Sequence, residues 1–302
     1  MIKKSRCGFF SCVETGCHID LKDKSRAGLN IRGAHPQALM IDYHVHTALC
    51  GHAEGKMEEY VLSAISNGLK EICFLDHLTT RPYDRKISMT VAEVPVYYKE
   101  ARRLQEKYHS KIEVKAGLEC DFDPEMVSAI EDVVGSFSFD CIGASVHFID
   151  DWNIVSRRKA ARYGTQDLAE LGKRYVASLL NMMSYNFFDV VCHIDVIKKF
   201  GHPELRSFLD SQEEIFVEIK KKGCAVEVNT SGYDHPVCEA YPSPAILFRL
   251  CEDSVPITLG SDAHRPEDVG RYFARTIKMI RSAGYEYLLS FDKRKARIRN
   301  LA

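Results

Sequence analysis

The chain is short of net charge, of long apolar runs and of tryptophan, and each shortage narrows what it does. Its 41 Lys and Arg nearly balance 42 Asp and Glu, for a net charge of −1. That balance gives no electrostatic case for bulk nucleic-acid or anionic-membrane binding, while a small anionic substrate held by a few local charges stays open. No apolar stretch approaches the ~18–20 residues of a membrane-spanning helix. One tryptophan, Trp152, and short basic pairs such as Arg157-Arg158 and Lys198-Lys199 do not make the basic, aromatic-lined groove that holds a nucleic-acid strand. A Gly-rich phosphate loop and a Walker motif are both missing, which argues against nucleoside triphosphates. Eleven cysteines are present, but many lie inside apolar runs (Cys73, Cys141, Cys192, Cys224, Cys251), where a free thiol behaves as a small hydrophobe. With no secretory apolar region, we expect a reducing, cytoplasmic setting.

At 302 residues the chain is long enough for one α/β domain with a full core. Residues 1–39 stand apart, with seven Lys/Arg against three Asp/Glu, three cysteines (Cys7, Cys12, Cys17) and no periodicity. Their cysteine spacing fits none of the usual structural zinc patterns. We read 1–39 as an N-terminal extension, either a floppy tail or an upstream-extended start with Met40 as initiator, and 40–302 as the functional domain.

After Met40 the pattern alternates strand and helix. Strands are expected at Ile41–His46, Glu71–Leu75, Glu113–Cys120, Cys141–Phe148, Phe188–Asp195, Cys224–Ser231 and Pro256–Ala263. Helices are expected at Met57–Lys70, Val91–Ser110, Pro124–Val134, Thr165–Tyr185, Ser211–Lys222, Ser243–Asp253 and Val269–Ala283. Alternation of this kind predicts parallel strands with helical crossovers. Both an open sheet and a closed barrel satisfy it.

What the chain does have is a ligand at the end of almost every strand. His44 and His46 are two apart, so in an extended strand both imidazoles fall on one side. His52, His77, Glu119, His147, His193, Asp262 and His264 follow. In a barrel the C-terminal ends of the strands form one ring, whereas an open sheet would spread them too widely to share a small site. We therefore expect an α/β fold, a distorted (β/α)7 TIM-like barrel with its metal site at those ends. A lone histidine at a strand end usually serves as a hydrogen-bonding loop residue, and His109, His202 and His235 are read that way. Nine N/O ligands without an obligatory thiolate suit two or three divalent ions, Zn, Mn or Fe. Cys50, between His46 and His52, is read as a packing or supporting residue.

The strings His44-Val-His-Thr-Ala-Leu-Cys-Gly-His52, Phe74-Leu-Asp-His77, Gly117-Leu-Glu-Cys-Asp121, Ser145-Val-His-Phe148, His193-Ile-Asp-Val-Ile-Lys-Lys-Phe200, Val228-Asn-Thr-Ser-Gly232 and Gly260-Ser-Asp-Ala-His264 occur in this order. Together they resemble the polymerase-and-histidinol-phosphatase (PHP) family, and within it the histidinol-phosphate phosphatase branch, over Met40 to about Phe273. The resemblance implies a distorted seven-stranded barrel and a trinuclear centre. One ion would take His44, His46, the bridging Glu119 and Asp262. A second would take Glu119, His147 and His193, and a third His52, His77 and His264. Asp76 stands where many relatives carry Glu, which touches fine tuning only.

The expected activity is hydrolysis of L-histidinol phosphate to L-histidinol and phosphate, with Glu119, Asp262 and His264 as catalytic residues. Lys199, Arg265, Arg158 and Asn229 are expected to contact a small phosphomonoester. Asp150 and Asp151 are candidates for its amino group. The same resemblance admits a nucleoside-phosphate phosphatase or a 3′–5′ exonuclease, and a non-catalytic regulatory module forms a third class. Oligomeric state is not legible.

Overall fold

The computed structural model describes residues 40–79 and 87–301. The proposed extension, and Arg81 in the loop after the second strand, lie outside the described residues. Seven parallel strands run in sequence order: β1 (Ile41–Val45), β2 (Glu71–Leu78), β3 (Glu113–Asp121), β4 (Cys141–Ser145), β5 (Val190–Val191), β6 (Ala225–Asn229) and β7 (Ile257–Gly260). A parallel bridge between Val45 and Ala263 brings the last strand back to the first, with His46 N–H donating to the Ala263 carbonyl at 2.9 Å. The barrel is therefore closed at the end that carries the ligands. Its strands are buried on both faces, which is why they read as near-continuous apolar runs rather than as alternation.

The helices that follow the strands are α1 (Met57–Ser66), α2 (Val94–Tyr108), α3 (Val127–Ser136), α4 (Leu168–Met183), α5 (Glu213–Lys222), α6 (Pro244–Glu252) and α7 (Phe273–Ser282). The longest, α4, shows how the sequence sets such an element. The Asp167 carboxylate accepts from Ala169 N and Glu170 N, satisfying two orphan donors of the first turn. Leu171, Tyr175, Leu179 and Met182 then recur at helical spacing and are buried. Truncating Leu179 to alanine would cost about 2–5 kcal/mol.

Several boundaries differ from expectation, and they differ near the ligands. The fourth strand stops at Ser145 because Phe148–Ile149 folds antiparallel onto Trp152–Asn153. The fifth keeps only Val190–Val191, since His193 turns to φ 24° and a 3-10 turn over Val196–Lys198 follows. The third helix begins at Val127, not Pro124: Asp123 accepts from Glu125 N at 3.1 Å in the turn before it. The last begins at Phe273 rather than Val269.

A C-terminal hairpin, β8 (Tyr287–Asp292) with β9 (Lys295–Asn300), went unread in the sequence. It packs at the base of the barrel. The Tyr43 hydroxyl accepts from Phe291 N at 2.7 Å. Arg299 Nη2 donates to Glu71 at 2.8 Å, and Arg294 Nη2 to Asp189 at 3.0 Å.

Candidate metal centre

Glu119 lies near the end of β3, fully buried, and the cluster is arranged around its two oxygens. On one side, Oε2 lies 2.7 Å from His77 Nδ1, 3.3 Å from His44 Nε2 and 3.7 Å from His46 Nε2. On the other, Oε1 lies 2.7 Å from His193 Nε2 and 3.6 Å from His147 Nε2, and the Ser145 hydroxyl donates to it. Asp262 Oδ1 stands 2.9 Å from His46 Nε2 and 4.0 Å from His44 Nε2. His264 Nε2 meets His52 Nε2 at 2.9 Å. All nine ligand positions read from the sequence thus fall into one cluster. Donor atoms within 4.8 Å of one another form the sets His44/His46/Glu119, His77/Glu119/His147 and His52/His77/His264. His77 belongs to two of these, so the structure draws it closer to the Glu119 bridge than the sequence grouping had it.

The donor chemistry fits divalent cations. His44 Nε2, His46 Nε2, His77 Nδ1 and Glu119 Oε2 are buried with no hydrogen-bond partner among the described residues. They crowd together at contact distance without hydrogen-bond geometry, which is costly unless something else satisfies them. The outer pair is more telling. His52 Nδ1 lies 3.0 Å from the Cys50 carbonyl, and His264 Nδ1 lies 3.0 Å from the Asp262 carbonyl. A carbonyl only accepts, so both Nδ1 atoms carry protons. Burial lowers the pKa of both rings, helped by His77 for His52 and His46 for His264, so they stay neutral. Their Nε2 lone pairs therefore face each other at 2.9 Å, an arrangement that a shared cation relieves.

Three carboxylates hold the inner rings from behind. His44 Nδ1 lies 2.6 Å from Glu227 Oε1, His147 Nδ1 lies 2.5 Å from Asp121 Oδ1, and His46 Nδ1 lies 3.3 Å from Asp76 Oδ1. Each leaves Nε2 aimed into the cluster, the usual support for a ligating histidine. Sequence reasoning found Asp76 but assigned no role to Asp121 or Glu227. The signal for Glu227 was its spacing of two from Asn229, which puts both on one strand face. Burial opposes ionisation of Glu119, yet His77, His44 and His147 hold its pKa well below the usual range. Burial, with His77 beside it, brings His46 down to about 3, so that ring is neutral. Two ligands sit at unfavourable backbone angles, His193 at φ 24° and Asp262 at φ 53°. Arg271 holds the second, donating from Nη2 to the Asp262 carbonyl at 3.2 Å and from Nε to that of Ser261 at 3.1 Å.

The expected substrate contacts fare unevenly. Lys199 is half-buried and makes no side-chain ion pair among the described residues; burial lowers its pKa to about 8, with Asp262 opposing and Arg157 assisting the shift. Arg265 is exposed and pairs with Glu54 at 3.3 Å. Arg158 is exposed, whereas Arg157 beside it reaches His235 Nδ1 at 3.2 Å, on the Lys199 side of the cluster. Asn229 is occupied by the protein itself: Nδ2 faces Glu227 Oε2 and Asp262 Oδ2, and Oδ1 accepts from Ser231 N and Oγ. These bonds give Asn229 a supporting role toward Glu227 and Asp262. Asp150 pairs with Arg174 rather than standing free. Cys50 is buried within 4.8 Å of donor atoms of His46 and His264, and burial pushes its thiol pKa up.

A closed parallel barrel that gathers seven imidazoles and two carboxylates at one end has the build of a metal-dependent barrel hydrolase. The chain belongs to the PHP domain family, whose sequence profile matches residues 42–231. It is similar to the "Probable histidinol-phosphatase" of Deinococcus radiodurans, 36% identical over 248 residues, covering 81% of this chain and 94% of that one. It is also 30% identical over 267 residues to the "Histidinol-phosphatase" of Lactococcus lactis, covering 84% and 95%. A crystal structure of histidinol phosphate phosphatase from Lactococcus lactis, complexed with zinc, L-histidinol and phosphate, matches with a TM-score of 0.72 at 26% identity. That match covers 86% of this chain and 99% of the other. Among the described residues, no helix is long and apolar enough to cross a membrane.

Proposed function

We propose that this chain is a metal-dependent phosphomonoesterase that hydrolyses L-histidinol phosphate to L-histidinol and phosphate, a step of histidine biosynthesis. The observation that carries the reading is the ring of unpartnered histidine nitrogens around Glu119. The relatives named histidinol-phosphatase, and one solved with zinc, L-histidinol and phosphate, supply the substrate class.

Divalent ions bound among the nine ligands would make hydroxide available near neutral pH and neutralise charge on the phosphoryl oxygens. The chain's own residues do the rest. Glu119 would hold ions on both sides, offering one oxygen to the His44, His46 and His77 side and the other to the His147 and His193 side. Asp262 keeps Oδ2 between Asn229 Nδ2 and Ser231 Oγ, at 3.3 and 3.0 Å, and turns Oδ1 to the cluster. Its side chain is 18% exposed while that of Glu119 is not exposed at all, so Asp262 is the carboxylate placed to take a proton from incoming water. His264 and His52 form the outer edge, where a substrate enters. Lys199 and Arg157 bring positive charge beside the cluster and suit the phosphate dianion. Arg158 and Arg265, both exposed, would meet the substrate from the rim. We place the protein in the cytoplasm with no nucleic-acid partner, on its buried free cysteines and its charge balance.

The test is a substrate panel on Zn- or Mn-loaded protein: L-histidinol phosphate, generic aryl phosphates, a phosphodiester and single-stranded DNA. Preference for L-histidinol phosphate by kcat/KM is the expected result. Turnover no faster than that of an aryl phosphate would remove the pathway assignment.

A further inference from the structure

Glu227 lies on β6, only 1% exposed, with three partners on its carboxylate. Oε1 faces His44 Nδ1 at 2.6 Å. Oε2 accepts from the His193 backbone N–H at 2.9 Å and from Asn229 Nδ2 at 3.2 Å. The identity of each partner atom is fixed by the network. Asn229 Oδ1 accepts from Ser231 N, a backbone donor, so the atom facing Glu227 is the amide nitrogen. With His193 N–H and Asn229 Nδ2 both donating to Oε2, Oε1 is placed to accept from His44 Nδ1, which leaves Nε2 as the ring nitrogen available to a cation. That nitrogen is the one 3.3 Å from Glu119 Oε2.

The same Asn229 Nδ2 reaches Asp262 Oδ2 at 3.3 Å. One buried carboxylate thus touches His44 on β1 and the backbone of His193 after β5, and through Asn229 it touches Asp262 after β7. The barrel also reserves room for it. A Cβ on Gly260 would stand 2.2 Å from Glu227 Oε1 and 2.5 Å from His44 Cβ, so glycine is needed there for close approach.

We propose that Glu227 is a positioning residue of the metal centre: by accepting from three donors at once it fixes the His44 tautomer and locks His44, His193 and Asp262 into one ligand set. The inference rests on the metal-centre reading of the cluster. Its chemistry forbids the isosteric amide. In Glu227→Gln, an amide oxygen turned to His44 leaves NH2 against two donors. The opposite orientation forces a proton onto His44 Nε2, the atom that should ligate.

The experiment compares wild type and Glu227→Gln, each stripped with chelator and titrated with Co(II) against a competing chelator, followed by the visible d–d spectrum. The expected result is an affinity for at least one ion about 10–100-fold weaker in the variant, with an altered Co(II) band. Circular dichroism and melting of the stripped proteins establish that both are folded. Equal Co(II) affinity and spectra would overturn the role of Glu227 alone; a folded wild type that binds no metal would overturn the metal-centre reading. Should the variant fail to fold, 113Cd-loaded wild type decides by NMR. Cadmium coupled to His44 Nε2 with the Nδ1 proton retained supports the proposal, and cadmium on Nδ1 overturns it.

Discussion

The two ends of the barrel bury charge in opposite ways. At the base, charged groups are paired: Arg299 with Glu71 and Glu113, Arg294 with Asp189, Arg102 with Asp140. At the other end, histidine and carboxylate atoms are buried without hydrogen-bond partners, two ligands sit at positive φ, and two neutral imidazoles point lone pairs at each other. The base is what a chain builds when the requirement is stability. The top is tolerable only if something else completes it, and in α/β barrels that end is where chemistry sits.

The sharpest way to break the comparison is to change one carboxylate at each end. Glu119→Gln should lower kcat on L-histidinol phosphate by about 10³-fold or more, because the bridge supplies several kcal/mol of transition-state stabilisation. Retained activity in steady-state assays would refute the bridging role. At the base, Arg294→Met should cost about 2–3 kcal/mol in urea unfolding, below the ~3–5 kcal/mol of a fully buried pair because Arg294 is itself about a third exposed. Its kcat should be unchanged; a loss of activity in a folded variant would mean that the two ends are coupled.

A smaller effect concerns Lys199. Its pKa of about 8 means that its positive charge is lost as pH rises through that value. The kcat/KM for a phosphate dianion should therefore fall above about pH 8 in wild type. In Lys199→Arg the guanidinium stays charged, so the break should move up by a unit or more. An identical pH profile would remove Lys199 from substrate binding.

The difference between the ends also explains what the sequence made legible. The candidate ligands were readable because each lies at or near the end of an apolar run, so strand periodicity and chemistry coincide at His44, His77, Glu119 and Asp262. The supporting network was less so. Asp121 and Glu227 lie within or at the end of strands, like any residue of a buried run, and only the closed barrel shows which imidazole each one faces. Asn229 was read as a substrate contact, and a polar residue at a strand end gives no sign of the bonds it makes to Glu227 and Asp262. The C-terminal hairpin escaped notice for a related reason. Lys295–Asn300 is charged and exposed on most positions, so it lacks the apolar signal of the barrel strands. Register against β8 defines it instead.

The most direct test of the metal-centre account is a titration. Protein stripped with chelator is reloaded with Zn or Mn while phosphate release from L-histidinol phosphate and bound metal per chain are followed together. The account predicts no turnover in the stripped protein and recovery as about two to three ions bind per chain. Full turnover by the stripped protein would contradict it.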